Sequence, residues 1–221
     1  MEHLVYDPTR RTRVYYLKAE GMATFKVTVM LHARMVEKWT RDVKRDFLDA
    51  AATKCVGLGC DFTAPRNHKV DEKQRATVLQ LSVASETLVF HMIHANIKVP
   101  HVLKDFSEDG NIKFCSAAIE NDVRKLEIDG IHITCAYDLQ KIVANPTRKP
   151  TPSLHDLANH TIGTNLEQKK KKYDGKKKRD ASAQEKEDEL IFRWGNYPLG
   201  YEQVHYAALD AHPSFEIARK Y

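Results

Sequence analysis

Three short apolar runs in the first half of the chain constrain its fold more than any other feature. They are CVGLGCDF (residues 55–62), TVLQLSV (77–83) and TLVFHMI (87–93). Each has the length of a strand, and the three-residue gap between the second and the third suits a hairpin. We therefore predict three sequential antiparallel strands between Cys55 and Ile93.

The chain before these runs predicts two more strands and a helix. RVYYL (13–17) and TFKVTVML (24–31) are predicted strands, the second because apolar side chains recur at every second position. Residues 33–52 predict a helix with one buried face, because apolar residues recur there at steps of three and four. This stripe consists of Val36, Trp39, Val43, Phe47 and Ala50.

Strands and helices alternate in the second half of the chain. A fourth strand is predicted over residues 112–119, and a further short strand over residues 131–134. Asn121 is expected to cap the helix after the fourth strand, and Ser153 to cap a later helix. Two C-terminal helices are expected to be parted at Pro213, because proline lacks the N–H that a helix needs.

The order of these elements predicts an α/β fold. Antiparallel strands followed by alternating strands and helices form a mixed sheet with helices on both faces. A chain of 221 residues is long enough for one substantial core and short for two average domains. We expect a single domain over residues 1–221, with a basic, low-complexity insertion at about residues 167–188.

The positive charge of the chain is concentrated in one segment. The formal net charge is +5, but residues 169–179 hold eight cations and one Asp, a local charge of +7, which leaves −2 for the rest. Such a block ordinarily forms a solvated loop, and the alternative is a phosphate-contacting arm or a nuclear address. Its cations are Lys169, Lys170, Lys171, Lys172, Lys176, Lys177, Lys178 and Arg179.

Composition excludes several classes of protein. No apolar run approaches the ~18 residues that span a bilayer, and the first residues lack the apolar core of a secretory signal. We therefore expect no membrane partner and an intracellular protein of the nucleus or cytoplasm. The four cysteines include no C-x-x-C pair and are expected to be small buried side chains.

Carboxylates are the catalytic candidates that remain. Gly57 and Gly59 lack the third glycine of a dinucleotide fingerprint, and neither a P-loop nor a G-x-S-x-G elbow occurs. Asp61 ends the first apolar run, Asp122 follows the fourth strand, and Asp210 lies near the C-terminus. Strand ends in open α/β sheets are where such sites form.

Tyr206 and Asp210 are four residues apart in a run that is compatible with a helix, so they share one helix face. A phenol and a carboxylate on one face can hold a metal ion and orient a water against a phosphate, if other carboxylates meet them. An ordinary amphipathic helix is the alternative.

Three segments resemble the motifs of a known family. They are VGLGCDF with ATVLQLSV, then FCSAAIENDVRKLE, then YPLGYEQVHYAALDA. Together they resemble the three exonuclease motifs of the DEDDy 3′–5′ exonucleases, which have a ribonuclease H-like (DnaQ-like) fold. Werner-syndrome-type exonuclease domains of plants and animals are the most similar, the plant ones above all. The resemblance covers about residues 25–218 without the basic insertion, and Tyr-x-x-x-Asp is its most specific part.

This resemblance implies a role for each candidate residue. Asp61 and Asp210 match metal ligands, Asp122 matches a catalytic carboxylate that binds through a water, and Tyr206 matches the residue that orients the attacking water. The implied cofactor is Mg²⁺ or Mn²⁺. The implied reaction is hydrolysis of phosphodiester bonds at the 3′ ends of DNA or RNA.

Gly59 departs from the family pattern. The family strand has the pattern V-G-x-D-x-E, and its two acids match Gly59 and Asp61, so the leading Asp is missing. Cys60 cannot replace it, because strand side chains alternate and Cys60 faces the other way. In the family the leading Asp bridges two ions, so we expect one ion rather than two and a weakened activity.

Three functions follow as hypotheses. The first is a working exonuclease, the second a degenerate member that binds nucleic acid without cutting it, and the third a scaffold. Four retained polar groups disfavour the scaffold, and Gly59 disfavours full activity. DNA and RNA are not distinguished by the sequence, and self-assembly into a homo-oligomer stays open.

Overall fold

The structure is a computed structural model, and it describes the backbone of residues 2–7 and residues 12–62, 76–95, 99–166 and 194–221. Its strands are β1 (Glu2–Asp7), β2 (Thr12–Leu17), β3 (Phe25–Met30), β4 (Cys55–Asp61), β5 (Val78–Val83), β6 (Glu86–His91), β7 (Lys113–Ser116) and β8 (Ala136–Asp138). Its α-helices are α1 (Ala33–Val43), α2 (His101–Glu108), α3 (Glu120–Ile128), α4 (Leu139–Ile142), α5 (Leu154–Ile162) and α6 (Tyr201–Ala218). The basic segment, residues 169–179, lies outside the described residues.

The described strands form one mixed sheet in the order β1-β2-β3-β6-β5-β4-β7-β8. β4, β5 and β6 pair antiparallel in sequence order, which confirms the central prediction. β7 pairs parallel to β4, β8 parallel to β7, and β3 parallel to β6. The antiparallel strands followed by parallel ones confirm the predicted ribonuclease H-like α/β arrangement.

One predicted strand is wrong by several residues. The strand expected over residues 131–134 is absent there, and β8 begins at Ala136 instead. Ile131 is buried in the core directly after Gly130, which adopts a positive φ of 72°. Apolar residues in an irregular connection bury area as well as those in a strand do, so their periodicity could not tell the two apart.

Helices cover both faces of the sheet, as predicted. On one face the core contains residues of α1, α2 and α3, with Trp39, Phe106 and Leu126 among them. On the other face α5 and α6 pack over two further clusters, which include Val204 and Phe215 of α6. No helix in the described part of the chain is long and apolar enough to cross a membrane.

The helix predicted over residues 33–52 is interrupted after Val43. A π-helical turn, Lys44–Leu48, follows α1 and widens the hydrogen-bond spacing, which rotates the later residues around the helix axis. Phe47 is therefore 38% exposed and Ala50 is exposed, although both were assigned to the buried stripe. Leu48, five residues after Val43, is buried in their stead.

The two predicted helix caps differ in outcome. Ser153 caps α5 in a capping box, in which the Asp156 N–H donates to Ser153 Oγ at 3.1 Å and the Ser153 N–H donates to Asp156 Oδ2 at 2.9 Å. Asn121 is not a cap, because α3 begins at Glu120 after Ile119, without a side-chain capping bond. Its Oδ1 accepts from the guanidinium of Arg124 instead.

The C-terminal part of the chain is one helix, so the expected break at Pro213 is wrong. Pro213 lies inside α6 and is itself buried. A proline in a helix interior costs about 3 kcal/mol, but nearly every residue of α6 from Ala207 to Ala218 is buried. Burial at ~25 cal/mol per Å² of apolar surface outweighs the loss of one backbone hydrogen bond.

Gly57 sets the separation between β4 and α6. A Cβ at this position would lie 2.0 Å from the carbonyl oxygen of Ala211 and 2.7 Å from the backbone nitrogen of Phe215. Only glycine lets the two backbones approach so closely. This contact brings the end of β4 beside the middle of α6, where the candidate residues lie.

Candidate active site

Three elements carry the candidate side chains. Asp61 is the last residue of β4, Asp122 lies in the first turn of α3, and Tyr206 and Asp210 are one turn apart on α6. The Tyr206 hydroxyl donates a hydrogen bond to the Asp210 carboxylate. All four side chains are half-buried. They therefore border solvent at the junction of strand and helix.

Tyr206 is within electrostatic reach of all three carboxylates. The negative charge of Asp210 raises the pKa of Tyr206 most, followed by burial, the charge of Asp61, the hydrogen bond to Asp210 and the charge of Asp122. The phenol is therefore protonated at any physiological pH. Because its proton is donated to Asp210, its oxygen keeps lone pairs that can accept a hydrogen bond from a water.

Asp122 is the carboxylate with the most perturbed proton affinity. Burial raises the pKa of Asp122 to about 6, and the charge of Lys125 opposes this shift. The ammonium of Lys125 itself lies 3.5 Å from the centroid of the Phe62 ring. Near neutral pH Asp122 is still largely ionised and can accept hydrogen bonds from a water.

Cys60 cannot supply the missing acid. It packs against the core on the face of α1, α2 and α3, opposite the face of Gly59 and Asp61. Burial, reinforced by the charges of Asp122 and Asp61, raises the pKa of the Cys60 thiol far above its usual range. The side chain is a neutral thiol and carries no negative charge toward the cleft.

Gln80 is a polar residue at this site that the sequence reasoning missed. It lies on β5 directly opposite Gly59, it is fully buried, and its Nε2 donates to Asp61 Oδ2 at 3.0 Å. A Cβ at Gly59 would lie 2.6 Å from Gln80 Oε1 and 3.3 Å from Asp210 Cβ. The signal in the sequence was a glutamine inside a run that is otherwise mostly apolar, on the strand that pairs with the candidate strand.

The donor atoms fit one hard divalent cation better than a two-ion centre. Within the described ranges, no group of three or more His, Cys, Asp or Glu side chains is arranged to hold a metal ion. Asp61 and Asp210 offer two carboxylates, and the buried Oε1 of Gln80 has no hydrogen-bond partner. Oxygen ligands of this kind suit Mg²⁺ or Mn²⁺.

A mixed sheet of this order, with helices on both faces, is the ribonuclease H-like fold of the exonucleases. The family model described as 3′–5′ exonuclease matches residues 40–220. The chain therefore belongs to the 3′–5′ exonuclease family. Over 167 residues it is 30% identical to the bifunctional 3′–5′ exonuclease/ATP-dependent helicase WRN of Mus musculus. That alignment covers 74% of this chain and 11% of the mouse protein, so the chain corresponds to a small part of that relative.

Two solved structures illustrate the similarity of fold. Escherichia coli RNase D, an exoribonuclease, superposes with a TM-score of 0.62 at 16% identity, over 87% of this chain and 43% of that one. The EXO domain of Aedes aegypti Nibbler superposes with a TM-score of 0.60 at 15% identity, over 86% and 84% of the two chains. The described fold thus matches an isolated exonuclease domain nearly end to end.

Proposed function

We propose that this chain is a DEDDy-type exonuclease domain that trims 3′ ends of DNA or RNA by metal-dependent phosphodiester hydrolysis, at a rate reduced by Gly59. We further assign it to the Werner-syndrome-type exonucleases, nearest to those of plants. The observation that carries the proposal is the hydrogen-bonded pair of Tyr206 and Asp210 within electrostatic reach of Asp61 and Asp122.

The reaction assigns a task to each side chain. Asp61 and Asp210 would hold one Mg²⁺ or Mn²⁺, which activates a water and stabilises the leaving oxygen when bound. Tyr206 has given its proton to Asp210, so its oxygen accepts a hydrogen bond from the attacking water and fixes its direction. Asp122 accepts the second hydrogen of that water or bonds to it through another.

A domain that binds nucleic acid without cutting it is the second candidate, and Gly59 is the observation that favours it. A missing electrostatic stabiliser commonly costs ~10²-fold or more in rate. The two-carboxylate site would then bind a 3′ end without efficient turnover. A scaffold that binds neither metal nor nucleic acid is the third outcome.

Nucleic acid is the partner in both leading proposals. The eight cations of residues 169–179 are proposed to contact backbone phosphates next to the cleft. The single-domain organisation with a basic insertion, a location in the nucleus or cytoplasm, and assembly into a homo-oligomer are proposed from the sequence alone.

Cleavage of 5′-labelled oligonucleotides tests the proposal. Single-stranded DNA, single-stranded RNA and a duplex with a recessed 3′ end are incubated with the wild-type chain in Mg²⁺ or in Mn²⁺. A slow ladder from the 3′ end is expected, faster in Mn²⁺. Asp210→Asn should lower the rate ~10²-fold.

A second tyrosine on the same helix provides the matched control. Tyr201 is 38% exposed on α6, so Tyr201→Phe should leave cleavage unchanged while Tyr206→Phe lowers it. Binding of the oligonucleotides without cleavage in any metal would select the second candidate. Neither binding nor cleavage would select the scaffold, and rapid digestion in Mg²⁺ would show that Gly59 costs little.

A further inference from the structure

Gln80 is buried between β4 and α6 with half of its amide unsatisfied. Its side chain is 0% exposed, Nε2 donates to Asp61 Oδ2 at 3.0 Å, and Oε1 has no hydrogen-bond partner. An unpaired carbonyl oxygen in a protein interior is destabilising. Its position therefore calls for an explanation beyond packing.

The direction of the amide follows from its neighbour. An ionised carboxylate only accepts hydrogen bonds, so the NH₂ group of Gln80 must face Asp61. The reverse orientation would set two acceptors against each other. Oε1 consequently faces away from Asp61, toward the empty volume above Gly59.

That volume is where a side chain at position 59 would begin. Gln80 Oε1 lies 2.6 Å and Asp210 Cβ 3.3 Å from the point that a Cβ of residue 59 would occupy. The amide oxygen thus fills the room that Gly59 leaves vacant, between the strand of Asp61 and the helix of Asp210. A larger residue at position 59 would force this oxygen to move.

We infer that Gln80 supplies the third oxygen of the metal site, in the position that a carboxylate of residue 59 would otherwise serve. The inference rests on the proposed metal-dependent cleft. Amide and carboxylate oxygens both ligate hard divalent cations, so Asp61, Asp210 and Gln80 form a three-oxygen set with two negative charges. The bound cation is the partner that the buried oxygen lacks.

A different role for Gln80 would have the opposite consequence. If its amide only tied up Asp61, it would compete with the cation, and removing it would free a carboxylate for binding. If it is a ligand, removing it takes an oxygen from the cation. The effect of Gln80→Leu on metal affinity therefore has opposite signs under the two roles.

Titration of the full chain with Mn²⁺, by calorimetry and by the spin-resonance signal of the free ion, tests the inference without measuring activity. Gln80→Leu keeps the side-chain volume without the amide and should weaken binding 10–100-fold. Gln80→Glu puts a charged oxygen in the same place and should tighten it. Ser82→Ala is the matched control, because Ser82 is buried on the same strand but bonds to Thr87 and His212 away from the cleft.

The outcomes separate this inference from the proposed function. Unchanged or tighter binding by Gln80→Leu, with Asp210→Asn still weakening it, overturns only the role of Gln80. Wild-type binding that is absent, or indifferent to Asp210→Asn, overturns the metal-dependent cleft and this inference together. If Gln80→Leu does not fold by circular dichroism, Gln80→Glu decides, and weaker binding by that variant refutes the inference.

Discussion

Gly57→Ala should cost this protein a large part of its stability, because a single methyl group meets two backbones that cannot rotate away. The added carbon would lie 2.0 Å from the Ala211 oxygen and 2.7 Å from the Phe215 nitrogen. Ordinary contact begins near 3.4 Å, so β4 and α6 would have to separate by about 1.4 Å.

The size of the effect follows from what must give way. Overpacking of a core by one methylene typically costs ~1–3 kcal/mol, with more where the surroundings are rigid. Here the obstacle is helix backbone, and the separation would also loosen the packing of α6 over β5, β6 and β7. We expect a loss of about 3 kcal/mol, out of the ~5–15 kcal/mol typical of a domain.

Equilibrium unfolding in urea, followed by circular dichroism, measures the difference. Gly110→Ala is the control, because a Cβ there would meet only Thr134 Cγ2 at an ordinary 3.8 Å. That variant should stay within about 1 kcal/mol of wild type, since replacing a glycine in an unstrained conformation is neutral or slightly stabilising. Equal midpoints for the two variants would show that β4 and α6 do not approach as closely as described.

Three further results are expected. Burial lowers the pKa of His212 to about 4 from an unfolded value near 6.5, so its contribution to stability is complete above pH 6.5 and is lost between pH 6.5 and 4, by up to ~1.4 kcal/mol per pH unit. The stability gap between wild type and His212→Gln should therefore narrow over that range, and parallel pH curves would contradict it. Gly59→Asp should raise Mn²⁺-dependent cleavage of oligonucleotides once Gln80 turns aside, and Tyr206→Phe in that background should remove most of the gain; no gain would exclude position 59 as a ligand site. Replacing the lysines of residues 169–179 by glutamine should weaken oligonucleotide binding and flatten its dependence on salt, by ~0.7 in log–log slope per lost phosphate contact for single strands, whereas an unchanged slope would limit the segment to solubility or targeting.

The parts of the fold that the sequence predicted are those with local causes. Strand-length runs with a short gap define the central hairpin of β5 and β6, and the serine–aspartate spacing defines the cap of α5. The parts it missed depend on distant partners. The π-helical turn after Val43, the coil at Ile131 and the unbroken helix through Pro213 are each decided by which neighbour buries the segment.

The candidate site shows the same division. Tyr206 and Asp210 could be paired from helix geometry, and Gly59 could be recognised as a departure from the resemblance. The position of Gln80 could not be predicted, because it needs the register that sets β5 opposite β4 residue by residue. A run with one polar residue does not say whether that residue faces a cleft or a satisfied core.

The docking of α6 also has a consequence for how the chain folds. This helix contacts β4, β5, β6 and β7, yet it follows all of them in sequence, beyond β8 and the basic segment. During synthesis the sheet face that holds Val27, Val78 and Val89 stays uncovered until Tyr201–Ala218 has left the ribosome. Contacts at such long sequence separation slow folding, because loop entropy is lost before they form. Nascent chains should therefore expose this apolar face to chaperones, and they should become resistant to protease only after α6 has emerged.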